Sequence, residues 1–227
     1  MKLKSGLWKF SPSSLYSFTE CKTCFWAENH IGRHPFTLPL RLNSAMDEKL
    51  KSRYDKFRKN NEIPPELINL KEYKLFNDIE VLEDWRTKTS SLAYTNDKDG
   101  YIISGKLDEV LVNKKGDLVV ADYKSSGDPP KDDKYKYYEL QLNAYAKMIM
   151  EKGYNVADEA YLLHYFPKCK TNASMSVKLD FHADKVNISI PDFLEIMKEM
   201  VELLEGEAPD INNECKRCKW LEKRGSI

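Results

Sequence analysis

Asp122-Tyr123-Lys124 closes a run of four apolar residues, Leu118-Val119-Val120-Ala121, so an acid and a base end what reads as a buried strand. A second acid, Asp108 in GKLDEVLV, lies just upstream. A hairpin with the loop Lys114-Lys115-Gly116 wants glycine at its left-handed position, and Gly116 supplies it. That loop pairs Asn113 with Asp117, which sets Asp108 opposite Asp122 and Lys106 opposite Lys124. Alternation then gives Asp108, Asp122 and Lys124 one face, and Leu107, Leu111, Val119 and Ala121 the other. Two carboxylates side by side near a core repel each other. A hard divalent cation, Mg²⁺ or Mn²⁺, relieves the repulsion, polarises a phosphoryl oxygen and activates a bound water. Lys124 is placed to orient that water or offset developing charge. The chemistry suggested is metal-dependent phosphodiester hydrolysis; the plainer alternative is a surface salt bridge at a strand end.

A second constellation is cysteine. C-K-T-C begins at 21 and C-K-R-C at 215, giving Cys21, Cys24, Cys215 and Cys218. Two such pairs supply four thiolates, suited to a structural Zn²⁺ or a [4Fe–4S] cluster. One shared centre would clasp the two ends and close most of the chain into a loop, with Phe25, Trp26 and Trp220 as an apolar shell. Two unrelated thiol pairs are the alternative. Cys169 stands apart.

The elements that must position these groups follow from periodicity and punctuation. Ser11-Pro12 opens a short helix running to the first cysteine pair. Residues 44–60 read as a helix with Met46, Leu50, Tyr54 and Phe57 on one stripe. Another helix includes residues 81–86. Strands follow at 91–95, 101–112 and 117–124, then a helix around YYELQLNAYAKMIMEKG, strands AYLLHYF and SVKLDFHA, and a helix with Pro191 in its first turn. This order defines an α/β or α+β fold in one domain, residues 1–227.

Composition sets the outer bounds. Of 227 residues, 41% are apolar and 32% charged, which describes a soluble globular chain. Thirty-six basic residues balance thirty-six acidic ones, so a nucleic acid would need a local basic patch. No signal-peptide core or membrane span stands out, and the expected location is the cytoplasm, with reduced cysteines.

Asp108, then Asp122-Tyr123-Lys124, then Gln141-Leu142-Asn143-Ala144-Tyr145 on a following helix resembles the PD-(D/E)XK nuclease superfamily, in particular its RecB-like branch. The resemblance implies a restriction-endonuclease-like core, a mixed central sheet flanked by helices, and a deoxyribonuclease acting in repair, recombination or phage/CRISPR-type defence. It makes Asp108, Asp122 and the Tyr123 carbonyl metal ligands, with Lys124, Gln141 and Tyr145 assisting. Where the family usually has His on a preceding helix, this sequence offers Asp47, with His30 and His34 in reserve. Ser44 as an N-cap and Asp47 as a first-turn acid is the competing reading. The branch includes CRISPR-associated adaptation nucleases whose iron–sulfur clasp uses one cysteine before the core and three after it; the division here is two and two, and zinc stays open. DNA with single-stranded character is the implied substrate, contacted by residues 134–138 through charge and stacking, with a protein partner for targeting. Two rivals remain: a weak or inactive DNA- or partner-binding protein on the same fold, and a zinc-clasped structural subunit.

Overall fold

The computed structural model describes residues 1–32, 41–131, 134–168 and 176–225, apart from the Arg224 side chain. His34 and Cys169 lie outside the described residues. The chain builds two sheets. Strand β1 (Trp8–Phe10) leads to a 3₁₀ turn at Pro12–Ser14, then α1 (Tyr16–Glu20) and α2 (Lys22–His30). Cys21 between the helices is extended, at φ −162° and ψ 111°, so it starts the second helix rather than continuing the first.

Helix α3 (Arg41–Lys59) buries Leu50 and Tyr54 along the expected stripe, with Met46 and Phe57 half-buried. It already includes Arg41, so Ser44 is no N-cap and Asp47 no first-turn acid. Next come β2 (Lys74–Leu75), α4 (Ile79–Thr87), β3 (Ala93–Asn96), β4 (Tyr101–Ser104), β5 (Glu109–Val112), β6 (Leu118–Ser125), α5 (Glu139–Met150), β7 (Glu159–Pro167), β8 (Leu179–Asn187), α6 (Ile190–Glu205) and α7 (Lys216–Gly225). The larger sheet runs β2-β5-β6-β7-β8, and the smaller β1-β4-β3. Strands β6 and β7 are parallel and their neighbours antiparallel, because α5 supplies the crossover that a parallel pair needs.

The hairpin has the expected register: Glu109 pairs with Ala121 and Val112 with Leu118, while Gly116 takes φ +88°. Strand β6 is apolar on both faces because both are covered. Leu118 and Val120 pack with Leu142 of α5 and Met197 of α6, whereas Val119 and Ala121 pack with Leu50 and Tyr54 of α3.

Four expectations are corrected here. Residues 101–112 are not one strand: β4 belongs to the small sheet, β5 to the large one, and 105–108 cross between them. At Gly105 a Cβ would come within 2.7 Å of the Pro12 ring, so the crossing needs a residue without a side chain. Because alternation is broken there, Leu107 packs with Val110 and Val120 rather than with Leu111, Val119 and Ala121. The β5–β6 ladder also ends at Glu109, so neither Asp108–Asp122 nor Lys106–Lys124 is a ladder pair; on the other edge of β6, Lys124 is level with His164 of β7. Val177 precedes β8 and is exposed. Among the described residues, no helix is long and apolar enough to cross a membrane.

Candidate active site and cysteine centre

The end of β6 brings the expected groups together. Asp122 is 2% exposed, and Lys124 Nζ lies 2.5 Å from its Oδ2. One turn of α5 supplies Gln141, whose Nε2 donates to Asp122 Oδ1 at 2.9 Å and whose Oε1 accepts from Lys124 Nζ at 3.3 Å. Tyr145 is the next residue on that helix face; its hydroxyl donates to the Lys106 carbonyl at 2.6 Å. Gln141 therefore ties the acid to the base, and Tyr145 ties α5 to the crossing segment. The Lys124 ammonium also sits 4.2 Å from the centre of the Tyr138 ring, a cation–π contact.

Asp108, just before β5, reaches across to β6, where its Oδ2 accepts from the Tyr123 N–H at 3.1 Å. Lys51 of α3 bridges the next gap, 3.0 Å from Asp108 Oδ1 and 2.7 Å from Asp47 Oδ2. Asp47 thus shares a cluster with Asp108. His30 does not: its Nε2 is 3.0 Å from the Leu204 carbonyl, and its ring stacks on Trp26.

Charge in this cluster is unbalanced. Burial raises the Asp122 pKa to about 7, helped by Asp108 and Asp47 and opposed by Lys124. Burial and Asp108 also raise Asp47, against Lys51. For Lys124, burial works against the charge, yet Asp122 outweighs it and holds the pKa above the ordinary lysine value. Three carboxylates face two ammonium groups, and two buried oxygens, Asp47 Oδ1 and Asp122 Oδ2, have no aligned hydrogen bond. Oxygen donors left in that condition suit a hard divalent cation. Lys51 stands between Asp47 and Asp108 and holds their carboxylates apart.

Sequence reasoning missed what holds Asp108. Its neighbour Glu109 points to the opposite face, is 0% exposed, and is gripped by Arg58 and Arg86. The Tyr123 hydroxyl donates to the same carboxylate at 3.0 Å. Arg86 Nε in turn donates to the Asp108 carbonyl at 2.9 Å, so the clamp fixes the backbone on which Asp108 sits. A charged residue on an otherwise apolar stripe, Arg58 four residues after Tyr54, was the available signal.

The cysteines converge. Cys21 Sγ is 3.7 Å from Cys218 Sγ, and Cys24 Sγ is 3.6 Å from Cys218 and 3.7 Å from Cys215. Among the described residues they are the one group of three or more metal-ligating side chains whose atoms all lie within 4.8 Å. The Cys24 N–H points at Cys21 Sγ, 3.5 Å away, a bond that the extended Cys21 backbone permits. Backbone N–H groups of Cys218 and Arg217 lower the Cys215 pKa to about 7, while burial raises Cys24 and Cys218. The expected aromatic shell is only partial. Phe25 turns into the main core beside Phe10 and Phe18, and Trp220 is exposed, because residues one or two places from a cysteine leave its helix face.

With this geometry in place, comparison with known proteins is direct. The model of the PD-(D/E)XK nuclease superfamily matches residues 9–222, and the chain belongs to that superfamily, a class of metal-dependent nucleases. No curated protein matches the sequence significantly. One solved structure, described as "Crystal structure of SSO0001", aligns over 95% of this chain and 84% of its own, at 14% identity and a TM-score of 0.47.

Proposed function

We propose that this protein is a Mg²⁺- or Mn²⁺-dependent deoxyribonuclease of the RecB-like branch, folded as one domain and working in the cytoplasm in DNA repair, recombination or defence. The observation that carries this reading is the Asp122–Gln141–Lys124 unit, bonded together beside Asp108 and Asp47, with Asp47 Oδ1 unpartnered and Asp122 Oδ2 facing only Lys124. Asp108, Asp122 and Asp47 would hold the cation, with the Tyr123 carbonyl as a further ligand. When bound, the cation supplies Lewis-acid polarisation of the phosphate. Lys124 orients the attacking water, and Gln141 holds Lys124 and Asp122 in register.

The substrate reading has local support. Two open clefts meet at Asp47 and Asp108. One is lined by Lys56, Lys59 and Lys106, which make no ion pair among the described residues. The same cleft also carries Asp47, Glu48, Asp55, Glu83 and Asp108, so these three lysines are its uncommitted cations rather than a net basic patch. The other cleft carries Tyr138, an aromatic surface of the kind single strands use for stacking. Targeting by a protein partner completes the proposal.

For the cysteines, the spacing favours Zn²⁺ over the [4Fe–4S] cluster. A tetrahedron of ~2.3 Å Zn–S bonds has edges of ~3.8 Å; three of the six Sγ pairs lie at 3.6–3.7 Å and all lie within 4.8 Å. In a cubane cluster each thiolate binds a different iron, which spreads the sulfurs further apart.

The test is cleavage of labelled single- and double-stranded DNA by anaerobically purified protein, with and without Mn²⁺, beside Asp122→Ala. Mn²⁺-dependent cleavage lost in the variant is expected. Cleavage unchanged in Asp122→Ala would refute the assignment of the site. Metal analysis of the same preparation is expected to give zinc without the visible absorption of an iron–sulfur cluster.

A further inference from the structure

One titratable cluster borders the site without a part in the roles given above. His164 interrupts the apolar run of β7 and is 4% exposed. Pairing of β6 with β7 sets it level with Lys124, and pairing of β7 with β8 sets His182 level with it. Residues level on neighbouring strands share a face, and His164 lines the same cleft as Asp47, Asp108 and Lys124. Its Nε2 is buried and 2.9 Å from Asp184 Oδ2. The other Asp184 oxygen is 2.8 Å from Nε2 of the exposed His182. A histidine–aspartate–histidine line therefore runs from the cleft to the surface.

Hydrolysis of a phosphodiester needs an acceptor for the proton of the attacking water. Lys124 already orients the water and the aspartates are assigned to the cation, so the acceptor is sought elsewhere in the cleft. Asp184 is the nearest acceptor to Nε2 of His164, at 2.9 Å though without an aligned hydrogen bond, and a ring proton on that side leaves the lone pair on Nδ1. Burial, assisted by His182 and Lys124 and opposed by Asp184, keeps the His164 pKa below its ordinary value. The ring is then neutral and able to accept.

We propose that His164 is the general base of the reaction, an inference that rests on the nuclease reading. As the water oxygen bonds to phosphorus, Nδ1 takes one water proton. The bond from phosphorus to the leaving oxygen breaks, that oxygen keeps the electron pair, and it is protonated by solvent. Asp184, steadied by His182, stabilises the imidazolium until its proton returns to solvent.

The experiment compares wild type, His164→Ala and His164→Asn on a single-stranded oligonucleotide with Mn²⁺, with and without added imidazole. General-base loss predicts kcat lower by ~100-fold or more in both variants, with KM changed by less than ~3-fold. Imidazole is expected to restore His164→Ala by ~10-fold or more, and more basic imidazoles to restore it faster. A structural role would give no such dependence on basicity. If His164→Ala does not fold, His164→Asn, which keeps polarity without a base, carries the kcat comparison. Either variant cleaving within ~5-fold of wild type, well short of the loss of a general base, overturns the inference and leaves the nuclease reading intact. A loss in His164→Ala that no imidazole relieves also overturns it. Wild type that cleaves no DNA takes down the nuclease reading and this inference together.

Discussion

Replacing Asp122 by Asn removes the charge from the most enclosed carboxylate of the site and keeps an oxygen for Gln141. In the metal-free protein, burial, with Asp108 and Asp47, raises this pKa from 3.8 to about 7 despite Lys124. Between those values the folded protein holds a proton that the unfolded chain has released. Stability therefore falls as pH rises through the window and levels off above it. At ~1.4 kcal/mol per pH unit, the fall has a ceiling of ~4 kcal/mol. Asn carries no such proton, so subtracting the variant's pH profile isolates Asp122 from every other titrating group. Urea unfolding of both proteins in Mg²⁺- and Mn²⁺-free buffer, from about pH 4 to about pH 8, measures the difference. Wild type is expected to lose ~2–4 kcal/mol relative to Asp122→Asn across that range. Saturating Mn²⁺ at the alkaline end is expected to return the loss to wild type and nothing to the variant. A difference that stays flat, or grows in favour of wild type as pH rises, would refute the reasoning. It would mean that Lys124 keeps Asp122 ionised throughout the range and that burial does not hold a proton on it.

Lys51→Met keeps the aliphatic stem and removes the ammonium between Asp47 and Asp108; Mn²⁺ affinity by calorimetry is expected to tighten ~10-fold, equivalent to ~1.4 kcal/mol. Arg86→Leu leaves the fully buried Glu109 with one guanidinium fewer and frees the Asp108 carbonyl. Urea unfolding should show a loss of ~3–5 kcal/mol, accompanied by weaker Mn²⁺ binding. Gly105→Ala drives a methyl into the Pro12 ring. The expected cost is ~1–3 kcal/mol, and a double-mutant cycle with Pro12→Ala should recover most of it.

The hairpin was legible because its determinants are local: a glycine that accepts positive φ and a two-residue alternation on each side. Gln141 and Tyr145 were legible for the same reason, as one turn of helix separates them. The break at Gly105 was hidden because the change of sheet depends on Pro12, far away in sequence. Glu109 escaped notice because sequence shows Asp108 and Glu109 as adjacent acids, while the strand sends them to opposite faces. Lys51 forms with Asp47 the i,i+4 pair that exposed helices carry everywhere, and only the approach of Asp108 makes it part of a site. His164 could have been found, since one polar residue within an apolar strand asks for a reason.

The clasp bears on the order in which the molecule assembles. Cys24 and Cys215 are 191 residues apart, and closing such a span costs ~5 kcal/mol of chain entropy if nothing else has formed. Bringing the four thiols together first is therefore disfavoured. The hairpin β5–β6 and the β6–α5–β7 unit have short internal connections and can form without them. Once those units are docked, the entropy of closure has already been spent, and the ion meets thiols that stand close together. An interaction made after the folding transition state leaves the folding rate alone and slows unfolding. The cysteine centre would then govern how long the nuclease fold persists, rather than how quickly it is reached.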